Sequence, residues 1–420
     1  MHIPAIRIRN IRSLHLHEWS VPREKCAGWH VVLGDNGSGK SSFLRAIALA
    51  LTEPRHAGQL RQSWNDWLTR SRKDGHVELQ IVPRAGCDGL TKPGVEQSFP
   101  LGIRLVRQDA GVELSQSPEP REGVGWTHDR GWFAASFGPF RRFFGGNASL
   151  WKSLGSAPRV GRHLSLFEEG IALTECLEWL RDLKFRKLED DPEGALLHQV
   201  MEFVNQGDFL PSNVRLEEVT SRGILFRDAN GVDVSVGDLS DGYRSILSLT
   251  FELIRQMAKT FGPEHVFEPT DATRIRSEGV VIIDEVDAHL HPTWQQRIGR
   301  WFCEHFPNVQ FIVSTHSPLV CQAAENGSIY VLPRSGTDER GGMMEGAALK
   351  RLVHGTVLDA YGTEAFGQEA ALTRSPSSRD MRKRLATLNN TEIRRRLTHD
   401  EEKERQKLRD ALPSAATTLS

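Results

Sequence analysis

Eight residues restrict the fold of this chain more than any other feature. Gly34-Asp35-Asn36-Gly37-Ser38-Gly39-Lys40-Ser41 fits the pattern G-x-x-x-x-G-K-[ST] in full. A short apolar run, Trp29 to Leu33, precedes it, and Phe43 to Leu51, rich in strong helix formers, follows. Strand, glycine turn and helix is the context this pattern requires. The glycines let successive backbone N–H groups point inward around a phosphate, and the helix presents its positive end to the same anion. Lys40 then reaches the terminal phosphates of a nucleotide, and the Ser41 hydroxyl is placed to ligate Mg²⁺. Asn36, Gly37, Ser38, Gly39 and Ser42 complete the candidate nucleotide contacts. A chance glycine turn is the competing reading, and the flanking strand and helix argue against it.

Two further apolar runs end in polar groups. Gly279 to Ile283 is wholly apolar and stops at Asp284-Glu285. Such a run suits a central parallel strand covered on both faces, and ligands of open α/β sheets lie beyond the carboxyl ends of the strands. Asp284 is expected to hold Mg²⁺ through water, and Glu285 to orient or deprotonate an attacking water. Val309 to Val313 leads through Ser314-Thr315 to His316. One helix separates the two runs, so both ends can face one pocket, and His316 is expected to sense a γ-phosphate rather than serve as a structural histidine. Leu239-Ser240-Asp241-Gly242-Tyr243 opens an amphipathic helix reaching about Met257. Ser240 and Gly242 there form either a second anion site or an ordinary N-cap.

Elsewhere the pattern is of short elements. Ile3 to His17 reads as strands around a turn at Asn10, and His76–Val82 and Gly102–Val106 alternate like strands. Gln108 to Asp129 looks like loop. Ser165 to Gln206 turns helical, with Leu166, Ile171, Leu173, Leu177, Trp179 and Leu180 as the stripe of one helix and Asp190 or Asp191 capping the next. Asn230-Gly231 marks a hairpin. After Val353 comes an appendage ending in a charged helix. The expected division is 1–160 and 211–350 for the two parts of one α/β core, 161–210 for a helical insertion and 351–420 for the appendage.

Charge and cysteines exclude several classes. With 53 Lys and Arg against 54 Asp and Glu, the chain lacks a whole-protein basic footprint for nucleic acid. The five cysteines (Cys26, Cys87, Cys176, Cys303, Cys321) form no Cys-x-x-Cys pair, so neither a disulfide framework nor a zinc site is expected. No apolar run reaches the roughly 18 residues of a membrane span, and the first residues lack a secretory pattern. A cytoplasmic protein without a membrane partner is expected. Arg141 and Arg142, in an aromatic-rich stretch, are either surface charge or contacts to phosphate or a partner.

Together these residues resemble the ABC-type ATPase head, in the branch containing RecF, SMC and OLD proteins. Leu239 to Tyr243 is similar to the family signature Leu-Ser-Gly-Gly-Gln, and Ile6 to Ser13 to the first strand of RecF-like proteins. Asp284 to Pro292 and Ser314 to Pro318 resemble the acidic motif and switch histidine of stand-alone AAA-type ATPases of that branch, many of them from anti-phage systems. Val357 to Gly367 is similar to a segment of PtuA-like proteins of Septu-type systems. The resemblance implies a P-loop NTPase fold: a mostly parallel central sheet flanked by helices, an antiparallel β subdomain and a short helical insertion. It implies ATP and Mg²⁺ as ligands, and a homodimer or higher oligomer in which Ser240 of one copy meets the γ-phosphate held by Lys40 of the other, with Asp287 near the seam. It further implies a switch that controls a partner effector, such as a nuclease, in anti-phage defence or DNA repair, with DNA as a candidate ligand.

Departures bear on this. Asp241 and Tyr243 replace the usual glycine and glutamine, and Ala134 to Gly146 holds no glutamine where the family often has a metal-binding one. About 200 residues separate Lys40 from Ser240, too few for a long coiled coil. The stretch after His316 shows no Toprim pattern, so no nuclease of its own is expected. The alternatives are the ATPase subunit of an ABC transporter, disfavoured by the signature departures and the RecF-like start, and a ring-forming AAA+ motor, for which no arginine finger is assignable.

Overall fold

Apolar alternation at the start of the chain makes a hairpin, β1 (His2–Ile11) and β2 (Leu14–Ser20), and continuous apolarity makes the buried strand β3 (Gly28–Leu33). Helix α1 (Lys40–Leu51) follows, then β4 (Asp74–Val82), β5 (Phe99–Gln108), β6 (Gly111–Gln116) and β7 (Ala134–Phe137). Helices α2 (Glu175–Leu188) and α3 (Ala195–Val204) precede three short strands, β8 (Arg215–Thr220), β9 (Gly223–Arg227) and β10 (Asp233–Ser235). The long helix α4 (Asp241–Phe261) leads to β11 (Phe267–Glu268), β12 (Asp271–Ile275) and β13 (Gly279–Ile283). Then come α5 (Pro292–His305), β14 (Val309–Ser314), β15 (Gly327–Val331), β16 (Gly342–Met343) and α6 (Gly346–His354). The structure, a computed structural model, describes residues 1–83, 98–118, 132–143, 158–171, 173–206, 209–210, 214–221, 223–334, 336, 341–356, 359–360 and 376–411.

Two sheets organise the first unit, Met1–Ala365. One runs β16-β15-β3-β14-β13-β7 and is parallel except at β16; the other, β2-β1-β4-β5-β6, is antiparallel. Helix α1 lies between them. Phe43, Leu44 and Ala46 through Leu51 are buried around the whole helix, and they share one core with Ile8, Leu79 and Ile103 on one side and Val280, Ile282 and Ile312 on the other. A helix apolar all round must be covered on every face. The far side of the parallel sheet is covered by α5, through an aromatic cluster. Trp29 stacks on Phe302 at 6.2 Å and 17°, and Phe302 meets Phe311 at 5.2 Å. Gly299 permits this approach, because a Cβ there would sit 2.4 Å from Ala323 Cβ and 2.8 Å from the Trp29 ring.

The helical insertion is tied to α4 by buried charge. Arg255 donates to Glu252 at 2.6 Å and pairs with Glu175 of α2 at 2.9 Å, and Gln256 also donates to Glu252. Asp191 caps the turn into α3, its carboxylate accepting the Glu193 N–H at 2.9 Å, as the sequence suggests. In the second unit, Phe366–Ser420, helices α7 (Pro376–Arg394) and α8 (His399–Ala411) pair through Arg384–Glu404, Arg395–Glu401 and Arg405–Glu392. Among the described residues no helix is long and apolar enough to cross a membrane.

Three local expectations need correction. The first hairpin turns at Arg12-Ser13, with Ile11 opposite Leu14, and not at Asn10. Asn10 stays in β1 at φ 56°, its side chain donating to the Asp74 carbonyl, an anchor that asparagine's tolerance of left-handed φ allows. Gln108 to Asp129 is not all loop: Gly111–Gln116 is β6, paired antiparallel with β5, because Val112 and Leu114 alternate against the core; residues 119–129 lie outside the described residues. The stripe from Leu166 to Leu180 is not one helix. Leu164–Phe167 is a single turn, and α2 begins only at Glu175, beyond the turn at Gly170. Most of Val357 to Gly367 also lies outside the described residues.

Phe302 is fully buried among four aromatic rings. Phe302→Ala should cost about 3–5 kcal/mol of stability, read as a lower urea midpoint at unchanged slope. An unchanged midpoint would contradict this packing.

Candidate nucleotide site

The glycine loop joins β3 to α1 and takes the backbone that its pattern demands. Gly37 and Gly39 sit at φ 81° and 99°, where side chains are strained. A Cβ on Gly39 would also lie 3.0 Å from both Leu14 and Ser13, so the first hairpin closes over the loop. Lys40 is buried, and its ammonium donates to the carbonyls of Gly34 at 2.8 Å and Asp35 at 3.0 Å. Burial lowers its pKa, opposed by the negative charges of Asp284, Glu285, Asp35 and Asp287. The acidic motif thus lies within electrostatic reach of Lys40. The Ser38 hydroxyl is buried with no hydrogen-bond partner among the described residues, a need that a phosphate oxygen in the loop would meet.

The acids stand where β13 ends. β13 pairs in parallel with β14, Ile283 opposite Val313, so both strands deliver their next residues to the same edge. There Ser314 Oγ donates to Asp284 Oδ1 at 2.5 Å and accepts the Glu285 N–H at 2.8 Å. Thr315 Oγ1 donates to Asp287 Oδ1 at 2.5 Å. Asp284 is 1% exposed, whereas Glu285 and Asp287 are half-buried and His316 is exposed. Glu285 holds φ 46° and His289 φ 65°. Such conformations cost about 1–3 kcal/mol each and persist only where their surroundings fix them.

Ser240 stands at the N-cap of α4, exposed, and its side chain makes no capping bond. Ser240 thus takes the extended backbone of an N-cap without its side-chain bond. Gly242 follows with the His289 carbonyl 2.8 Å from where its Cβ would be, so the start of α4 touches the acidic loop through backbone. Arg141 corrects the sequence reading. It is neither surface charge nor turned to solvent, but buried, with its guanidinium on the carbonyls of Asp284 and Glu285. Arg142 is exposed.

Ser41, in the first turn of α1, and Asp284, at the end of β13, are oxygen donors of the kind Mg²⁺ takes, one or two from protein and the rest from phosphate and water. Among the described residues no cluster of three or more His, Cys, Asp or Glu side chains forms a metal cage. Ser314, Thr315 and Arg141 were not singled out by sequence reasoning as acting on the acids. The signal for the first two was a pair of hydroxyls closing an apolar strand; nothing local marked Arg141. Ser314→Ala would leave the Glu285 N–H unpaired and free the Asp284 carboxylate. Nucleoside triphosphate turnover should fall about 10–100-fold with nucleotide affinity retained; equal losses in both would contradict a specific hold on the acids.

Comparison with known proteins agrees with this geometry. Residues 159–322 match a family described as "AAA domain, putative AbiEii toxin, Type IV TA system", and residues 5–85 match a second "AAA domain" family. The chain is 25% identical over 334 residues to the Septu protein PtuA of Bacillus mycoides (strain KBAB4), covering 79% of this chain and 40% of that protein. It is 38% identical over 126 residues to the "Retron Ec83 probable ATPase" of Escherichia coli, covering 30% of this chain and 22% of that protein. The matched part thus spans less than half the length of either curated relative. A solved SMC head bound to the C-winged helix domain of ScpA aligns with 82% of this chain and 98% of its own at 14% identity and a TM-score of 0.48, which adds nothing to the fold described above. The phosphate loop, the acid-ended parallel strand and the serine-headed helix lie on segments that match AAA-domain families, and the chain is similar in sequence to the Septu PtuA and retron ATPases.

Proposed function

We propose that the chain binds ATP with Mg²⁺ and hydrolyses it as a switch, two copies closing around two nucleotides and governing a separate effector. The observation that carries this is the charge around Lys40, one buried cation within electrostatic reach of Asp284, Glu285 and Asp287 at the end of β13, two strands from β3. In this reading the loop amides from Asn36 to Ser42 hold the phosphates, and Lys40 exchanges the Gly34 and Asp35 carbonyls for phosphate oxygens. Mg²⁺ on Ser41 and Asp284 would offset phosphate charge. Glu285 accepts a proton from the water whose oxygen attacks the γ-phosphorus, and the bond from that phosphorus to the β-bridging oxygen breaks to leave ADP. His316, exposed at the same edge, contacts the γ-phosphate. Ser240, exposed and making no side-chain capping bond at the positive end of α4, donates to the γ-phosphate of a second copy. The likeness to Septu and retron ATPases supports a setting in anti-phage defence, and the effector in this reading is a nuclease.

Glu285→Gln should bind ATP yet lose turnover by about 10²–10⁴-fold; wild-type turnover in that variant would end the role given to Glu285. Its mass in solution, by light scattering with Mg-ATP and then with ADP, tests the sandwich. A dimer with ATP alone is the expected result, and one unchanged mass in both states would rule the sandwich out.

A further inference from the structure

We propose that Arg141 is a positioning residue for this reaction, a buried strut that fixes the Glu285 peptide and makes the acidic loop and the Ser240 turn move as one piece. The proposal rests on the hydrolytic reading above.

Arg141 follows β7, the neighbour of β13 on the side away from β14. It is 6% exposed. Its Nη1 donates to the carbonyls of Gly138 at 3.0 Å and Asp284 at 2.9 Å, its Nη2 to those of Glu285 at 3.0 Å and Val286 at 3.4 Å, and its Nε to Ser245 Oγ at 3.2 Å. Three successive carbonyls of the acidic loop thus converge on one guanidinium. Past the end of β13 buried carbonyls need donors; the Glu285 carbonyl also accepts the Ala288 N–H at 2.9 Å, and Arg141 adds a second donor there. A planar fork serves several at once, which a lysine ammonium on a single stem does not. The Glu285 peptide groups are then held at both ends: Ser314 takes its N–H and Arg141 its carbonyl. With the Ala288 N–H on the same carbonyl, these bonds account for a glutamate that stays at φ 46°.

The fifth donor reaches another element. Ser245 lies on α4, little more than one helical turn past Ser240. Together with the close approach of Gly242 to the His289 carbonyl, it joins α4 to the acidic loop at two points. A shift of Ser240 on meeting a phosphate is therefore carried to Glu285 through Arg141. Burial pushes the Arg141 pKa down to about 10, opposed by Asp284, Asp287 and Glu285, so the strut remains cationic behind those carboxylates at neutral pH.

The test uses the full chain and measures kcat and KM for phosphate release, with the affinity for a fluorescent ATP analogue and Mg²⁺. Arg141→Gln should lose about 100-fold in kcat, with KM and affinity within about twofold of wild type. Arg141→Lys should recover little of it. In a Glu285→Gln background, Arg141→Gln should cause no further loss, because it acts through Glu285. Ser245→Ala, which removes one small hydroxyl and keeps the fold, should lower kcat about fivefold, the worth of one neutral hydrogen bond. Wild-type kcat in Arg141→Gln overturns the proposal, and so does equal loss of kcat and affinity. If Arg141→Gln fails to fold, Ser245→Ala decides, and wild-type kcat there overturns the coupling. An active wild type beside an unaffected Arg141→Gln strikes only this inference; a wild type without ATP turnover strikes the proposed function and this inference with it.

Discussion

In a parallel sheet every strand ends on the same side, and β3, β14 and β13 pair in that way, side by side. The glycine loop leaves β3 at that edge, Asp284 and Glu285 leave β13, and Ser314 to His316 leave β14. The site therefore depends on the register of this sheet. A slip of one residue would exchange side chains between the two covered faces, and it would separate Ser314 from the two acids that it holds. The register is secured by burial on both faces: α1 and the antiparallel sheet on one, the aromatic face of α5 on the other.

Within that frame the site collects charge that would not gather unaided. Asp284, Glu285 and Asp287 lie within four residues, with Lys40 in electrostatic reach and Arg141 on the carbonyls of their loop. Burial disfavours each charge alone, and opposite charges on two sides compensate it. The left-handed turn at Glu285 is held in the same way, by a hydroxyl on one side of its peptide and a guanidinium on the other. Strain and buried charge thus sit together at one loop, supported by groups from β7, β14 and α4.

Much of this was legible from local pattern. The phosphate loop, the acid-ended strand and the serine-headed helix each carry their cause in adjacent residues: glycines for positive φ, apolar continuity for a covered strand, a small turn before an amphipathic stripe. Misreadings arose where local signals were weak. Asn10 looked like a turn residue, but its left-handed backbone serves a bond to the Asp74 carbonyl within a strand. Val112 and Leu114 were too few to reveal a strand inside a polar stretch, and only pairing with β5 made them one.

The amino-acid sequence alone marked the elements that frame the candidate site and the residue types at their ends, because glycine turns and strand burial are set by neighbours in the chain. Tertiary structure decided what fixes those groups. Arg141 stands more than 140 residues before Glu285 in sequence, and Ser245 more than 100 beyond Arg141, yet the three meet in one hydrogen-bonded cluster. No spacing rule links residues so far apart. Only the packing of β7, β13 and α4 turns an arginine that resembled surface charge into the buried partner of the acidic loop.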